Sequence, residues 1–143
     1  MLILKNKNLT VQTVKRLNLA VFTWRGSTLS DVFKEGTDQS LEILRDHPSI
    51  NRILLNTKDH VMVMQADIEA SVNSTVDYIG IARGNYRMGV VPPTDARSHV
   101  AIDFYIDSLN KILKKRFVVK KLETTKQALA WLIRGKIRYS LGI

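Results

Sequence analysis

From Leu19 onward the chain alternates short apolar runs with longer amphipathic stretches, and that order decides what it can fold into. Leu19 to Trp24, Ile50 to Leu55, Tyr86 to Val91 and Arg116 to Leu122 read as strands. About Ser27 to Asp46, Gln65 to Arg83, Thr94 to Lys114 and Thr124 to Arg134 read as helices. Strands separated by helices of this length are mostly parallel, because a parallel crossover needs a dozen or more residues while a hairpin needs few. Such crossovers are right-handed. Two shorter strands precede Leu19, at Leu2 to Leu4 and Leu9 to Lys15, and their short connections pair them antiparallel. Leu9, Val11 and Thr13 share one face at period two. The expected fold is an α/β sandwich: a mixed sheet, antiparallel at its N-terminal end and parallel beyond, with about four helices.

Local signals place the helix ends. Ser27 or Thr28 can cap the first helix, and Asp31 suits the positive end of its dipole. Its apolar stripe is Leu29, Val32, Phe33, Gly36, Ser40, Ile43 and Leu44. A mid-helix glycine costs about 1 kcal/mol against alanine, so Gly36 predicts close packing on the sheet. His47-Pro48 ends this helix, since the residue before proline is driven from helical torsions. Ile68, Val72, Val76 and Ile79 mark the second helix, and Gly84-Asn85 stops it. The third carries Ile102, Ile106, Leu109 and Leu113 on one face, widened by Val100, Phe104 and Ile112. That excess predicts a covered loop or a partner chain, and a homodimer is expected from it. Thr124-x-x-Gln127 is a capping box for the last helix. Residues 134–143 read as a basic tail, with Lys136 to Ile143 adding an edge strand or staying mobile.

At 143 residues the chain can bury one core without staples and is expected to be one domain over 1–143. The absence of cysteine excludes disulfides, thiolate catalysis and cysteine zinc sites. No apolar run approaches the roughly 18–20 residues that span a bilayer, and MLILKNKN is too short an apolar start for a signal peptide. A bacterial-type cytoplasmic protein is the simplest expectation. The net charge of +9 is unevenly placed: residues 111–143 hold ten Lys/Arg against the single acid Glu123, while the charges of residues 1–110 cancel. Lys114, Lys115, Arg116, Lys120 and Lys121 are therefore candidate anion-binding residues, with Phe117, Trp131 and Tyr139 interleaved. Phe117 and Trp131 fall at positions that read as buried, which weakens the case for base stacking, and a solvated basic face that aids solubility is the preferred reading of the charge.

Catalytic patterns are missing. His99 and Asp103, at i and i+4, make the one local metal-ligand pair, and a solvated histidine near a helix start explains them. His47 suits the C-terminal dipole of its helix. Ser98, His99 and Asp95 can be drawn as a nucleophile triad, but no G-x-S-x-G elbow supplies its geometry. Gly26 and Gly84 are isolated glycines without a phosphate-loop fingerprint. No enzyme activity, metal or cofactor is expected.

A strand ending FTWRG, a helix DVFKEGTDQSLEILRDHP, a strand INRILLNTKD, a strand YRMGVVPP and the closing RFVVKKLETTKQALAWL follow in order. This order resembles the small bacterial STAS-like proteins, also described as SpoIIAA-like and loosely grouped with the Sec14-type lipid-binding fold. The likeness spans roughly residues 9–133, with Trp24-Arg25-Gly26 and Ala128 to Leu132 as its most specific parts. Relatives of the anti-sigma-factor antagonist type carry a phosphorylatable serine in a loop after a central strand. Here that place falls on Asn56-Thr57-Lys58-Asp59-His60, which has neither serine nor glycine, so the phosphoswitch role is not implied. Ligands of open α/β sheets sit at the C-terminal strand ends. The candidate ligand-binding residues are accordingly Gly26, Asn56, Thr57, Lys58, Asp59, His60, Met62 and Thr94. Met62 and Met64 suit an adaptable apolar pocket or a packed core. The expected role is a non-catalytic regulatory or binding domain, acting on a protein partner, on a second copy, or on a small apolar or anionic ligand. Binding of nucleic acid or other anions through the basic C-terminal segment is the alternative.

Overall fold

The computed structural model describes residues 1–62, 64–82 and 84–140, with backbone alone for 135–140. Six strands form one mixed sheet in sequence order: β1 (Leu2–Lys5), β2 (Leu9–Val14), β3 (Leu19–Ser27), β4 (Arg52–Val61), β5 (Tyr86–Val91) and β6 (Phe117–Lys121). β1, β2 and β3 pair antiparallel; β3 to β6 pair parallel, as their helical connections require. Those connections are α1 (Ser30–Asp46), α2 (Gln65–Ile81) and α3 (Ala96–Leu113), and α4 (Thr125–Ser140) follows β6. Among the described residues no helix is long and apolar enough to cross a membrane.

The alternation of strand side chains divides the core in two. Phe22, Trp24, Ile53, Leu55, Met88, Val90 and Phe117 face α1, α2 and α3 in the larger cluster. Leu19, Leu54 and Val91 face α4 through Ala128 and Leu132 in the smaller one. The expected close approach at Gly36 is present, because a Cβ there would run into the indole of Trp24. Asn18 turns the chain into β3 in the left-handed region, at φ 52°.

Several local expectations are corrected. Ser27 ends β3 and the helix begins only at Ser30, with neither Ser27 nor Thr28 as its cap. Leu29 and Val32 are exposed, so the buried stripe of α1 is narrower than its periodicity suggests. The third helix starts at Ala96, where Asp95 caps it by accepting from Ser98 N–H. Asn56 to His60 is not a loop after β4 but its second half, held by pairing with β3 through Val61. Thr124 does cap the last helix, since Gln127 N–H donates to its Oγ1, but the return bond of the expected box is shifted by one residue, with Glu123 N–H donating to Gln127 Oε1. That helix continues to Ser140 instead of giving way to a tail at residue 134. Arg83, Val63 and residues 141–143 lie outside the described residues, as do the side chains of Lys136, Arg138 and Tyr139.

Candidate functional site

One irregularity in the β3–β4 ladder shapes the site. Thr23 pairs with Asn56 and Arg25 with Asp59, so Trp24 alone faces both Thr57 and Lys58. The extra residue is a β-bulge, and it shifts the alternation of β4 by one. Ile53, Leu55 and Thr57 point toward α1–α3. An unbroken alternation would send Asp59 next. The bulge sends His60 instead, leaving Lys58 and Asp59 exposed.

His60 is buried, with 1% of its surface exposed. Its ring stacks on Trp24 at a centroid distance of 4.9 Å and lies 5.9 Å from Phe33. Nε2 is hydrogen-bonded to Thr28 Oγ1 at 2.8 Å, which is why Thr28 does not cap α1. Nδ1 is the one buried side-chain nitrogen or oxygen without a partner among the described residues. Burial in this aromatic setting lowers the imidazole pKa to about 4, so the ring is neutral at physiological pH. A neutral imidazole has one donor and one acceptor nitrogen; with Nε2 engaged, one hydrogen-bonding function remains unused.

A cavity of about 70 Å³ opens beside it, between the sheet and α1–α3. Its walls are mainly carbon, from residues such as Phe22, Trp24, Phe33, Ile53, Met62 and Met88. Three hydroxyls on its wall are turned inward on the protein: Thr57 Oγ1 donates to Val91 C=O, Ser40 Oγ to Gly36 C=O and Thr75 Oγ1 to Ser71 C=O. Tyr105 reaches Thr75 and Ser71, and burial pushes its phenol pKa up. Leu41 and Tyr78 line both the cavity and an outer groove between α1 and α2. Asp38, Glu42 and Asp77 outnumber Arg45 in that groove, a field that disfavours incoming anions.

The candidate residues divide accordingly. Thr57, His60 and Met62 line the cavity, while Gly26, Asn56, Lys58, Asp59 and Thr94 do not. Gly26, at φ 71°, is the register partner of His60, and Thr94 Oγ1 donates to Lys58 C=O. Met64 is exposed. Most of the wall escaped sequence reasoning because it comes from α1, α2 and α3, whose apolar stripes look like ordinary core. Ser71 and Thr75, small polar residues inside the buried face of α2, were the available signal.

The basic candidates are dispersed. Lys114, Lys115 and Arg116 form a 3-10 turn before β6, and Arg116 donates to Ala82 C=O. Lys120 faces Trp131 on the α4 side. Lys121 pairs with Asp103 at 2.8 Å and meets His99 Nε2 at 3.1 Å. Ser98, His99 and Asp95 do not form a triad: Ser98 Oγ donates to Asp95 and accepts from Met62 N–H, while His99 sits with Lys121. His47 Nδ1 bonds Ile43 C=O at the end of α1. A scan against protein-family models finds no match for this chain, and a search of curated proteins finds none either.

Proposed function

We propose that the chain is a non-catalytic, STAS-like binding domain that encloses a small, neutral, largely apolar molecule carrying one polar group. The carrying observation is the apolar cavity with His60 in its wall, a residue whose buried Nδ1 has no partner. An apolar cavity stays dry unless polar groups can hold water, and a buried polar atom without a partner costs about 1–3 kcal/mol. A ligand hydroxyl or amine meeting Nδ1 offsets that cost and sets the ligand's orientation. The volume is roughly five times the 10–15 Å³ that one water needs, which suits a single ring or a short branched chain. The acidic groove outside favours neutral over anionic ligands.

Titrating the protein with phenol, and separately with benzoate, tests this reading by NMR. Phenol is expected to saturate while shifting the His60 ring nitrogens and the Met62 and Met88 methyls. Benzoate is expected to bind at least tenfold more weakly. No saturable shift at these residues with phenol overturns the proposal.

Contact with a second copy is a further part of the reading, supported by Val100, Phe104 and Ile112 on α3, which are 71%, 39% and 52% exposed. Light scattering is expected to show a dimer whose mass falls to the monomer when Phe104 is changed to Glu. A monomer mass for the unaltered chain at high concentration removes this part.

A further inference from the structure

On the opposite face of the sheet, two arginines are placed where like charges are unfavourable. Arg52 opens β4 and Arg87 stands directly opposite it on β5. Like charges facing each other across strands destabilise a sheet. Both side chains are nevertheless held in place. Arg52 Nε donates to Leu132 C=O on α4 at 3.0 Å, and its Nη1 to Leu17 C=O at 2.9 Å. Arg87 lies over the ring of Trp131, 4.1 Å from the centroid, in a cation–π contact. Arg134, one turn beyond Trp131 on α4, adds a third guanidinium to the field at Arg87. Lys120 approaches the same indole, 6.0 Å from its centroid.

Among the described residues the carboxylate ion pairs are those of Asp103, and none reaches this cluster. The crowding is felt at Arg87, whose pKa is lowered by burial first, then by Arg52 and by Arg134. Arginines held by carbonyls and an aromatic face, with no acid among the described residues paired to them, are prepared for an anion from outside the chain. The guanidinium fork matches phosphate oxygens in geometry and charge. The Cα atoms of register partners on adjacent strands are only about 5 Å apart, so the charges of Arg52 and Arg87 are rooted side by side on the sheet instead of drawn out along a track. That concentration suits one compact, multiply charged group.

We propose that Arg52, Arg87 and Arg134, beside Trp131, form a binding site for a phosphate-bearing anion on the α4 face of the sheet. The site is independent of the cavity, which lies across the sheet.

Calorimetric titration of the full chain with pyrophosphate tests it. Saturable binding is expected, with at least a tenfold loss of affinity for Arg87→Gln and for Arg134→Gln. Arg134 is exposed, so its variant keeps the fold, and thermal unfolding of both variants checks this. Arg87→Lys, which keeps the charge but loses the fork, is expected to fall between. Lys114→Gln with Lys115→Gln is expected to leave affinity within twofold. Vesicles containing phosphatidic acid distinguish the source: recruitment sensitive to Arg134→Gln assigns the site to a lipid headgroup, and pyrophosphate binding without recruitment assigns it to a soluble phosphate. The proposal is overturned by failure of pyrophosphate to bind, or by equal losses in the arginine and lysine variants. Tighter binding of a single-stranded oligonucleotide with that same indifference overturns it too. Phenol binding in the cavity is expected to be unchanged in Arg134→Gln, which separates failure here from failure there.

Discussion

The indole of Trp24, which lines the cavity, fills the space where a side chain on Gly36 would stand, and this brings α1 onto β3. Alanine at that position gains about 1 kcal/mol of helix propensity, but its methyl meets a buried ring that also packs on His60 and Phe33. Overpacking of this kind costs roughly 1–3 kcal/mol. Gly36→Ala is therefore expected to lower stability in urea unfolding by about 1 kcal/mol net. In a double-mutant cycle with Trp24→Phe the loss is expected to shrink, because the smaller ring leaves room. A stabilised Gly36→Ala protein contradicts this packing.

Gly36 shows what was legible in the residues: a helix-disfavouring glycine inside an apolar stripe points to a close neighbour. Strand and helix order was legible for the same reason, since each element carries its own periodicity. The phase of β4 was not. Asn56 to His60 holds five polar residues in a row, and their polarity reads as loop. Pairing with β3, joined at Asn56 by pairing with β5, keeps them in a strand, and the bulge opposite Trp24 turns His60 inward. Pairing partners lie 33 or 34 residues apart, so no local pattern records them. The arginine cluster was hidden in the same way, because Arg52, Arg87 and Arg134 come from three separate elements. The C-terminal charge count directed attention to Lys114 to Lys121, which the fold disperses.

His60 makes stability depend on pH in a definite direction. Its pKa is about 4 in the folded chain against 6.5 for an ordinary imidazole. Between these values the unfolded chain binds more protons, so stability rises with pH. The contribution is complete above about pH 6.5 and is lost as pH falls toward 4, by about 1.4 kcal/mol per pH unit at most. Urea unfolding is expected to show about 1.6 kcal/mol lost between pH 6.5 and 5. His60→Gln should flatten that slope while lowering stability throughout. Parallel pH curves for the two proteins contradict the assignment of the slope to this residue.

Thr28 provides the His60 Nε2 with its partner, and the pair is buried. Thr28→Val keeps the shape of the side chain but leaves the imidazole without a hydrogen bond, which costs about 1–3 kcal/mol. Thr28→Ser retains the hydroxyl and is expected to lose less than half as much. If Thr28 acted as the cap of α1, the valine variant would instead fray Ser30 to Phe33. Hydrogen exchange distinguishes the two, and the expected loss of protection is at His60 and Val61, with α1 unchanged.

Asn110 protects the edge strand of the sheet. Among the described residues β6 pairs with β5 on one side only, and Asn110 on α3 reaches over the other side. Its Nδ2 donates to Val119 C=O at 2.8 Å, and Val119 N–H donates to its Oδ1 at 2.9 Å. The amide thus occupies both outward backbone groups of Val119 as a further strand would. Open edge groups invite pairing with another chain. Asn110→Leu leaves one donor and one acceptor without partners and is expected to cost about 1–3 kcal/mol. Asn110→Asp can still accept from Val119 N–H, but sets a carboxylate against Val119 C=O. Its penalty is expected to ease as acid protonates the aspartate and restores a donor. Urea unfolding at pH 7 and 4, each against the unaltered chain, measures this. Light scattering on storage is expected to show faster aggregation of Asn110→Leu, and a leucine variant as stable and as monodisperse as the parent would show that the edge needs no such cover.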